Sequence, residues 1–146
     1  TVTNCFYLRK CNYSGHKKRR CIKLNVAIDQ SENLLHYNIV KGSRHDINYV
    51  KENKERILSF DPKFIVADSA YSKNELFEYF LEKDIIYMSS KKRGEIGAIF
   101  SGIRSVVERF FGRLKQFLGI LTNYVRKIKN FKTYLSMAFS LLYFKL

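Results

Sequence analysis

The chain has 146 residues, 46% of them apolar and 15% aromatic, which suits one globular domain with a substantial core and argues against disorder. Lys and Arg number 27 against 13 Asp and Glu, a net charge of +14. That excess calls for a polyanionic partner, nucleic acid or an acidic membrane surface, and makes binding salt-sensitive. No run reaches transmembrane length and no signal peptide is visible, so the reading is a cytoplasmic chain with no membrane role.

Residues 1–8 carry Val, Thr, Phe and Tyr and read as the tail of a strand. A basic loop over 9–20 follows, with Gly15 and no apolar periodicity. Its Lys17, Lys18, Arg19 and Arg20 are either a solvated cluster or a phosphate contact. Cys5, Cys11, His16 and Cys21 make Cys-x5-Cys-x4-His-x4-Cys. The first gap is too long for the tight two-residue loop that brings two thiolates to one zinc, so zinc is not expected. The three cysteines read as reduced thiols.

Ile22, Leu24, Val26 and Ile28 alternate with polar or small residues, the pattern of a half-buried strand. A turn over 29–33 leads to a second strand over 34–40, and the two form a hairpin. Residues 41–44 break it, and His45-Asp46 opens a helix of about a dozen residues with Asp46 as N-cap. Residues 64–67, Phe-Ile-Val-Ala, are an unalternating apolar run suited to a strand covered on both faces. Ser72-Lys-Asn-Glu75 has the form of a capping box, and Leu76, Phe77, Phe80 and Leu81 supply the buried face of the next helix. Residues 84–88 return as a strand, completing a βαβ unit. A basic, Gly-containing loop over 89–98 brings Lys91, Lys92 and Arg93.

Residues 103–118 form the most regular stretch. Ile103, Val106, Val107, Phe110, Phe111, Leu114, Phe117 and Leu118 fall within an arc of roughly 140° on a helix. Arg104, Glu108 and Lys115 line up just beyond one edge of it, while Arg109 and Arg113 take the far side. One acid is thereby held between two bases at the border of core and solvent. The plain reading is surface ion pairing, worth a few tenths of a kcal/mol; the other is a carboxylate presented to a cleft. More positive charge, including Arg126, follows Gly119. A last helix over 131–144 is apolar nearly all round, too short for a bilayer, and suited to packing between the sheet and another element. Asp68 stands at the carboxyl end of the 64–67 strand. There it is either a turn residue or one of the groups that gather at strand ends in open α/β sheets.

Arg104-x3-Glu108-x6-Lys115, set in VERFFGRLKQF, resembles the Tyr-x2-Arg-x3-Glu-x6-Lys signature of DDE-class insertion-sequence transposases of bacteria and archaea. Ser101 stands where that signature has its Tyr. FIVADSAYSK resembles the family's second catalytic motif, with Asp68 as the acid and Tyr71 as the following aromatic. The two acids are forty positions apart, as the resemblance requires when no domain is inserted between them, and the likeness covers nearly the whole chain.

The resemblance implies an α/β fold, a ribonuclease H-like mixed sheet of antiparallel hairpin plus parallel strands flanked by helices. It implies DNA transposition by metal-dependent phosphodiester cleavage and strand transfer. Two Mg²⁺ or Mn²⁺ ions would be held by Asp68, Glu108 and a further Asp, with the two named carboxylates facing one solvent-open cleft. Arg104, Lys115 and Tyr71 would support the site or hold phosphate. Lys17, Lys18, Arg19, Arg20, Lys91, Lys92, Arg93, Arg113 and Arg126 are candidates for contact with double-stranded DNA, and a homodimer is expected of the full-length protein. The family's first Asp would fall just before Thr1, so the chain reads as a fragment that folds but does not cleave DNA on its own. Asp29 and Asp46 are the spare acids, read as a turn residue and a helix cap, with a metal role as the lesser alternative. A catalytically dead DNA-binding remnant and a metal-dependent nuclease of the same fold are the rival readings.

Overall fold

The computed structural model describes residues 2–5, 12–14, 18–89, 97–123 and 127–144. Strand β3 (Arg19–Ile28) is the element on which the larger sheet is assembled. It pairs antiparallel with β1 (Val2–Cys5), β2 (Asn12–Ser14) and β4 (Leu34–Lys41). β1 in turn pairs parallel with the two-residue β7 (Thr122–Asn123), which makes this five-stranded sheet mixed. The β3–β4 hairpin runs in register from Ile22↔Lys41 to Ala27↔His36 and slips by one residue at Ile28↔Leu34. Two features depart from the alternation. β3 starts at Arg19 and β2 covers Asn12–Ser14, so parts of the expected basic loop are strand, because Arg19 and Arg20 find backbone partners in Ser14 and Tyr13. The strand is also buried on both faces at its centre: Ile22 and Leu24 on one, Cys21 and Asn25 on the other.

The fold divides into two units, Thr1–Arg44 with Val106–Leu146, and His45–Ser105. The first packs Ile22 and Leu24 of β3 against helix α3 (Gly97–Lys115), the short α4 (Leu118–Leu121) and α5 (Ile128–Tyr143). Phe110, Leu114, Ile120, Phe131 and Leu135 are all but inaccessible there, and Phe139 stacks on Phe110 at 6.2 Å. Helix α3 begins earlier than the apolar arc does and ends at Lys115, three residues short of it. Hydrogen bonds from Gln116 N to Arg113 O and from Phe117 N to Leu114 O tighten the chain into a turn there. Helix α5 buries Phe131, Leu135, Ala138 and Phe139, at the i, i+4, i+7, i+8 spacing of one face. It is not covered all round as expected: Met137, Leu141, Tyr143 and Phe144 are exposed.

Gly119 is required by a close approach. A Cβ there would lie 2.7 and 2.8 Å from ring carbons of Tyr134, which packs against the same core. Gly119→Ala is expected to lower stability by about 1–3 kcal/mol, the usual range for overpacking, since the ring must move. A urea denaturation curve with an unchanged midpoint would show that the ring has room.

The second unit holds a two-stranded parallel sheet, β5 (Phe64–Ala67) with β6 (Ile86–Ser89), covered by α1 (Ile47–Leu58) and α2 (Asn74–Leu81). The βαβ unit is therefore present, but among the described residues its strands form a sheet of their own and not a continuation of the hairpin's sheet. β5 is less covered than an apolar run suggests, with Phe64 61% exposed. The core gathers Tyr49, Val50, Ile57, Leu76, Phe80, Ile85 and Tyr87, with Phe80 and Tyr87 stacked at 5.1 Å. Asn53 sits out of helical conformation inside α1 and donates from its side chain to the Tyr49 carbonyl at 2.7 Å, which kinks the helix.

Three local expectations fail here for identifiable reasons. Asp46 occupies the N-cap position of α1 but makes no side-chain cap bond, because its backbone is already helical rather than extended. The capping box at 72–75 does not form: Lys73 is the N-cap of α2, and Glu75 pairs instead with Lys51 of α1, which holds its carboxyl below the usual range. Asp84 does not begin the returning strand. It takes a left-handed conformation (φ 56°) that lets Ile85 N reach Phe80 O at 3.0 Å, a helix C-cap formed without glycine.

Candidate active site

Asp68 lies where β5 gives way to a single 3₁₀ turn, Ser69–Tyr71. It is exposed and caps that turn: its Oδ1 accepts from Ser69 N at 2.7 Å and from Ser69 Oγ at 3.3 Å. Its backbone carbonyl accepts from Tyr71 N at 2.9 Å. So the carboxylate is oriented through one oxygen and stands exposed at the carboxyl end of a parallel sheet. A groove lined by Glu55, Pro62, Lys63, Tyr79 and Asp84 lies at the opposite end of the same strands and plays no part in this site.

Tyr71 packs on the second core, where Tyr87 Oη donates to its carbonyl at 3.0 Å. Burial raises its hydroxyl pKa well above the ordinary tyrosine value, and the carboxylate of Asp46 adds to the rise, followed by Tyr49, Asp68 and Tyr87. Tyr71 is therefore a neutral hydroxyl set among charges. Two acids distant in sequence, Asp46 and Asp68, act on it together. Ser72 Oγ and Ser89 Oγ are buried at this rim without a hydrogen-bond partner among the described residues, Ser89 pairing with Ala67 across the sheet.

Glu108 is exposed on α3, with half-buried Val107 before it and buried Phe110 two positions on, as the apolar arc requires. Lys115 is exposed on the same helix; Arg104 lies on it with its side chain outside the described part. Sequence reasoning missed Glu32. This residue sits in the β3–β4 turn at φ 65°, a left-handed conformation that costs a non-glycine residue roughly 1–2 kcal/mol. The turn is held by Asp29, whose Oδ1 accepts from Ser31 N at 2.9 Å and Asn33 N at 2.8 Å and whose Oδ2 accepts from Asn33 Nδ2 at 2.8 Å. Glu32 Oε1 then takes Arg109 Nε at 2.8 Å and Oε2 takes Arg113 Nη2, with the Glu32 side chain 15% exposed. Arg113 is thus bound to the turn, with its Nε buried and without a partner among the described residues. The sequence shows two bases at i and i+4, but nothing in it points to a partner 77 residues from the first.

Asp29 is a turn residue, as read, with both carboxylate oxygens occupied. Lys18 and Arg20 are exposed, as are Lys41 and Arg44 at the end of β4. Lys17, Lys91, Lys92, Arg93 and Arg126 lie outside the described residues, as does the side chain of Arg19. Of the Cys-x5-Cys-x4-His-x4-Cys residues, Cys21 is a fully buried free thiol in β3, and Cys11 and His16 fall outside the described residues. No three or more His, Cys, Asp or Glu side chains cluster tightly enough to hold a metal ion among the described residues. Taken one at a time, Asp68 and Glu108 are exposed carboxylates, the donor type that hard divalent cations take.

The sequence profile described as Transposase DDE domain matches residues 2–144. The chain belongs to this family. No curated protein and no solved structure gives a significant match. Membership makes DNA transposition the process and DNA the partner, in keeping with the net charge of +14. Among the described residues, no helix of this transposase domain is long and apolar enough to cross a membrane.

Proposed function

We propose that this domain is the ribonuclease H-like core of an insertion-sequence transposase, in which Asp68 and Glu108 serve as ligands for divalent metal, Mg²⁺ or Mn²⁺. The observation that carries the reading is the placement of Asp68: an exposed carboxylate at the carboxyl end of a parallel sheet, with one oxygen tied to Ser69 N and the other without a hydrogen bond among the described residues. Two such ions, bound, supply a deprotonated nucleophile and stabilise charge on the leaving oxygen. In cleavage, water adds to phosphorus at the element's end as the P–O3′ bond breaks, freeing a 3′-hydroxyl and leaving a 5′-phosphate; that hydroxyl then joins phosphorus at a target phosphodiester and displaces its 3′-oxygen. The chain's own residues do the positioning. Ser69 N orients Asp68, neutral Tyr71 adds no charge of its own to the site, and Arg104 and Lys115 hold phosphate beside Glu108. With Asp29 committed to its turn, Asp46 is the better placed of the two spare acids for a supporting part, since it acts on Tyr71 together with Asp68. The protein works as a homodimer on double-stranded DNA.

The test is Mn²⁺ titration by electron paramagnetic resonance, paired with cleavage of DNA that carries the element's ends and of random DNA. Asp68→Asn and Glu108→Gln should each weaken Mn²⁺ binding by at least about tenfold, the usual size of losing a charged ligand or its support. Metal-dependent cleavage confined to end-bearing DNA fits a transposase, and cleavage of both substrates a nuclease. DNA binding with neither metal uptake nor cleavage leaves a non-catalytic module and sinks the proposal.

A further inference from the structure

We propose that Glu32 is a positioning residue for Glu108: the β3–β4 turn grips α3 through Arg109 and Arg113 and sets the rotation at which α3 presents its carboxylate. The inference rests on the reading of Glu108 as a metal ligand. Glu32 is the one acid of the turn that reaches the helix, and it meets it twice, Oε1 on Arg109 Nε at 2.8 Å and Oε2 on Arg113 Nη2. Those two arginines stand one helical turn apart, so the carboxylate bridges adjacent turns and restrains sliding as well as rolling. At 100° per residue they lie about 100° and 140° around the axis from Glu108, so the grip holds a different face from the one that carries Glu108.

The turn itself is stiff. Asp29 ties down Ser31 N, Asn33 N and Asn33 Nδ2, and Glu32 N donates to Asp29 O at 3.1 Å. Glu32 is held left-handed (φ 65°) within that net, which aims its side chain at the helix. A neighbouring face of α3, about 100° further round the axis, is fixed by Phe110 and Leu114 in the core. A helix seated by two apolar side chains can still roll about that seat, and a bridge between side chains on another face removes that freedom. The sequence separation explains the design: a hairpin turn and a catalytic helix about 75 residues later share no backbone pairing, and ion pairs join them.

The experiment uses the chain as it stands, with Glu32→Gln, Arg109→Gln, Glu108→Gln and the Glu32→Gln/Glu108→Gln pair. Two readouts are taken below the unfolding temperature: amide hydrogen exchange and Mn²⁺ affinity by electron paramagnetic resonance. Glu32→Gln is expected to lose protection over residues 106–113 while 131–139 of α5 keep theirs. It is also expected to weaken Mn²⁺ about tenfold, the low end for an outer-shell partner. In the Glu108→Gln background the same change should add nothing, because Glu32 acts only through Glu108. Arg109→Gln, at a side chain 57% exposed, keeps the fold if Glu32→Gln does not and should show the same signs more weakly. Unchanged protection over 106–113 in both single variants overturns the proposal, as does a Glu32→Gln effect on Mn²⁺ that persists undiminished without Glu108. If Glu108→Gln itself leaves Mn²⁺ binding untouched, the metal reading of Glu108 fails, and the grip on α3 is judged by exchange alone.

Discussion

Affinity of this chain for duplex DNA is expected to fall by about three to five orders of magnitude between 50 and 200 mM salt, and to survive Glu108→Ala unchanged or slightly strengthened. Non-specific binding comes from Lys and Arg on phosphates, and the magnitude follows if six to ten phosphates are neutralised, each releasing condensed counterions. With 27 Lys and Arg against 13 Asp and Glu, the chain has cations enough for that. Removing a carboxylate takes away repulsion of the DNA and no phosphate contact. The structure also ranks the bases. Exposed Arg20 stands at the start of β3, whereas Arg113 is held by Glu32. Arg20→Gln should therefore reduce the salt slope by about one, the mark of a lost phosphate contact, and Arg113→Gln should leave the slope in place. Fluorescence anisotropy over a salt series measures all of this. A flat salt response, a large loss on Glu108→Ala, or a slope that responds to Arg113 and not to Arg20 would show the binding surface to be elsewhere.

The parts of the fold that sequence makes legible are those in which periodicity reports burial directly. Phe110 and Leu114 are buried and Glu108 exposed because a helix repeats every 3.6 residues, and the 64–67 strand falls within its predicted bounds because Asp68 ends an apolar run. What is not legible depends on long-range pairing. Arg19 and Arg20 look like loop residues until β2 supplies partners for their backbone. Glu75 looks like a capping residue until Lys51 of another helix takes its carboxylate. Left-handed Asp84 ends a helix where glycine is the usual signal. The candidate site divides along the same line. Asp68 and Glu108 are marked by local position, strand end and arc edge, whereas Glu32 and the association of Asp46 with Tyr71 arise only in the folded chain.

The largest loss of stability is expected from Phe110→Ala. Phe110 is 2% exposed and stands at the centre of the first unit's core, stacked on Phe139 at 6.2 Å and set edge-on to Phe111 at 5.7 Å. Truncating a buried Phe costs about 3–5 kcal/mol, the transfer of the ring plus the cavity it leaves. Against a typical total of about 5–15 kcal/mol, that is a large share of the stability of a domain this size. Its neighbours cannot simply close the gap. Ile22 and Leu24 are fixed by strand pairing on β3, and Leu114 lies one turn along the same helix. The control is Met137→Ala on α5, also apolar but 61% exposed, which should change stability by no more than about 0.5 kcal/mol. In thermal denaturation the difference amounts to about 10–20 °C, at roughly 4 °C per kcal/mol for a chain of this length. Because Phe110 follows Glu108 by two residues, its loss also frees α3 to roll, so weaker Mn²⁺ binding is expected even at temperatures where the variant is folded. Equal melting temperatures for the Phe110 and Met137 variants would mean that α3 does not seat on the sheet through Phe110, and the presentation of Glu108 would need another support.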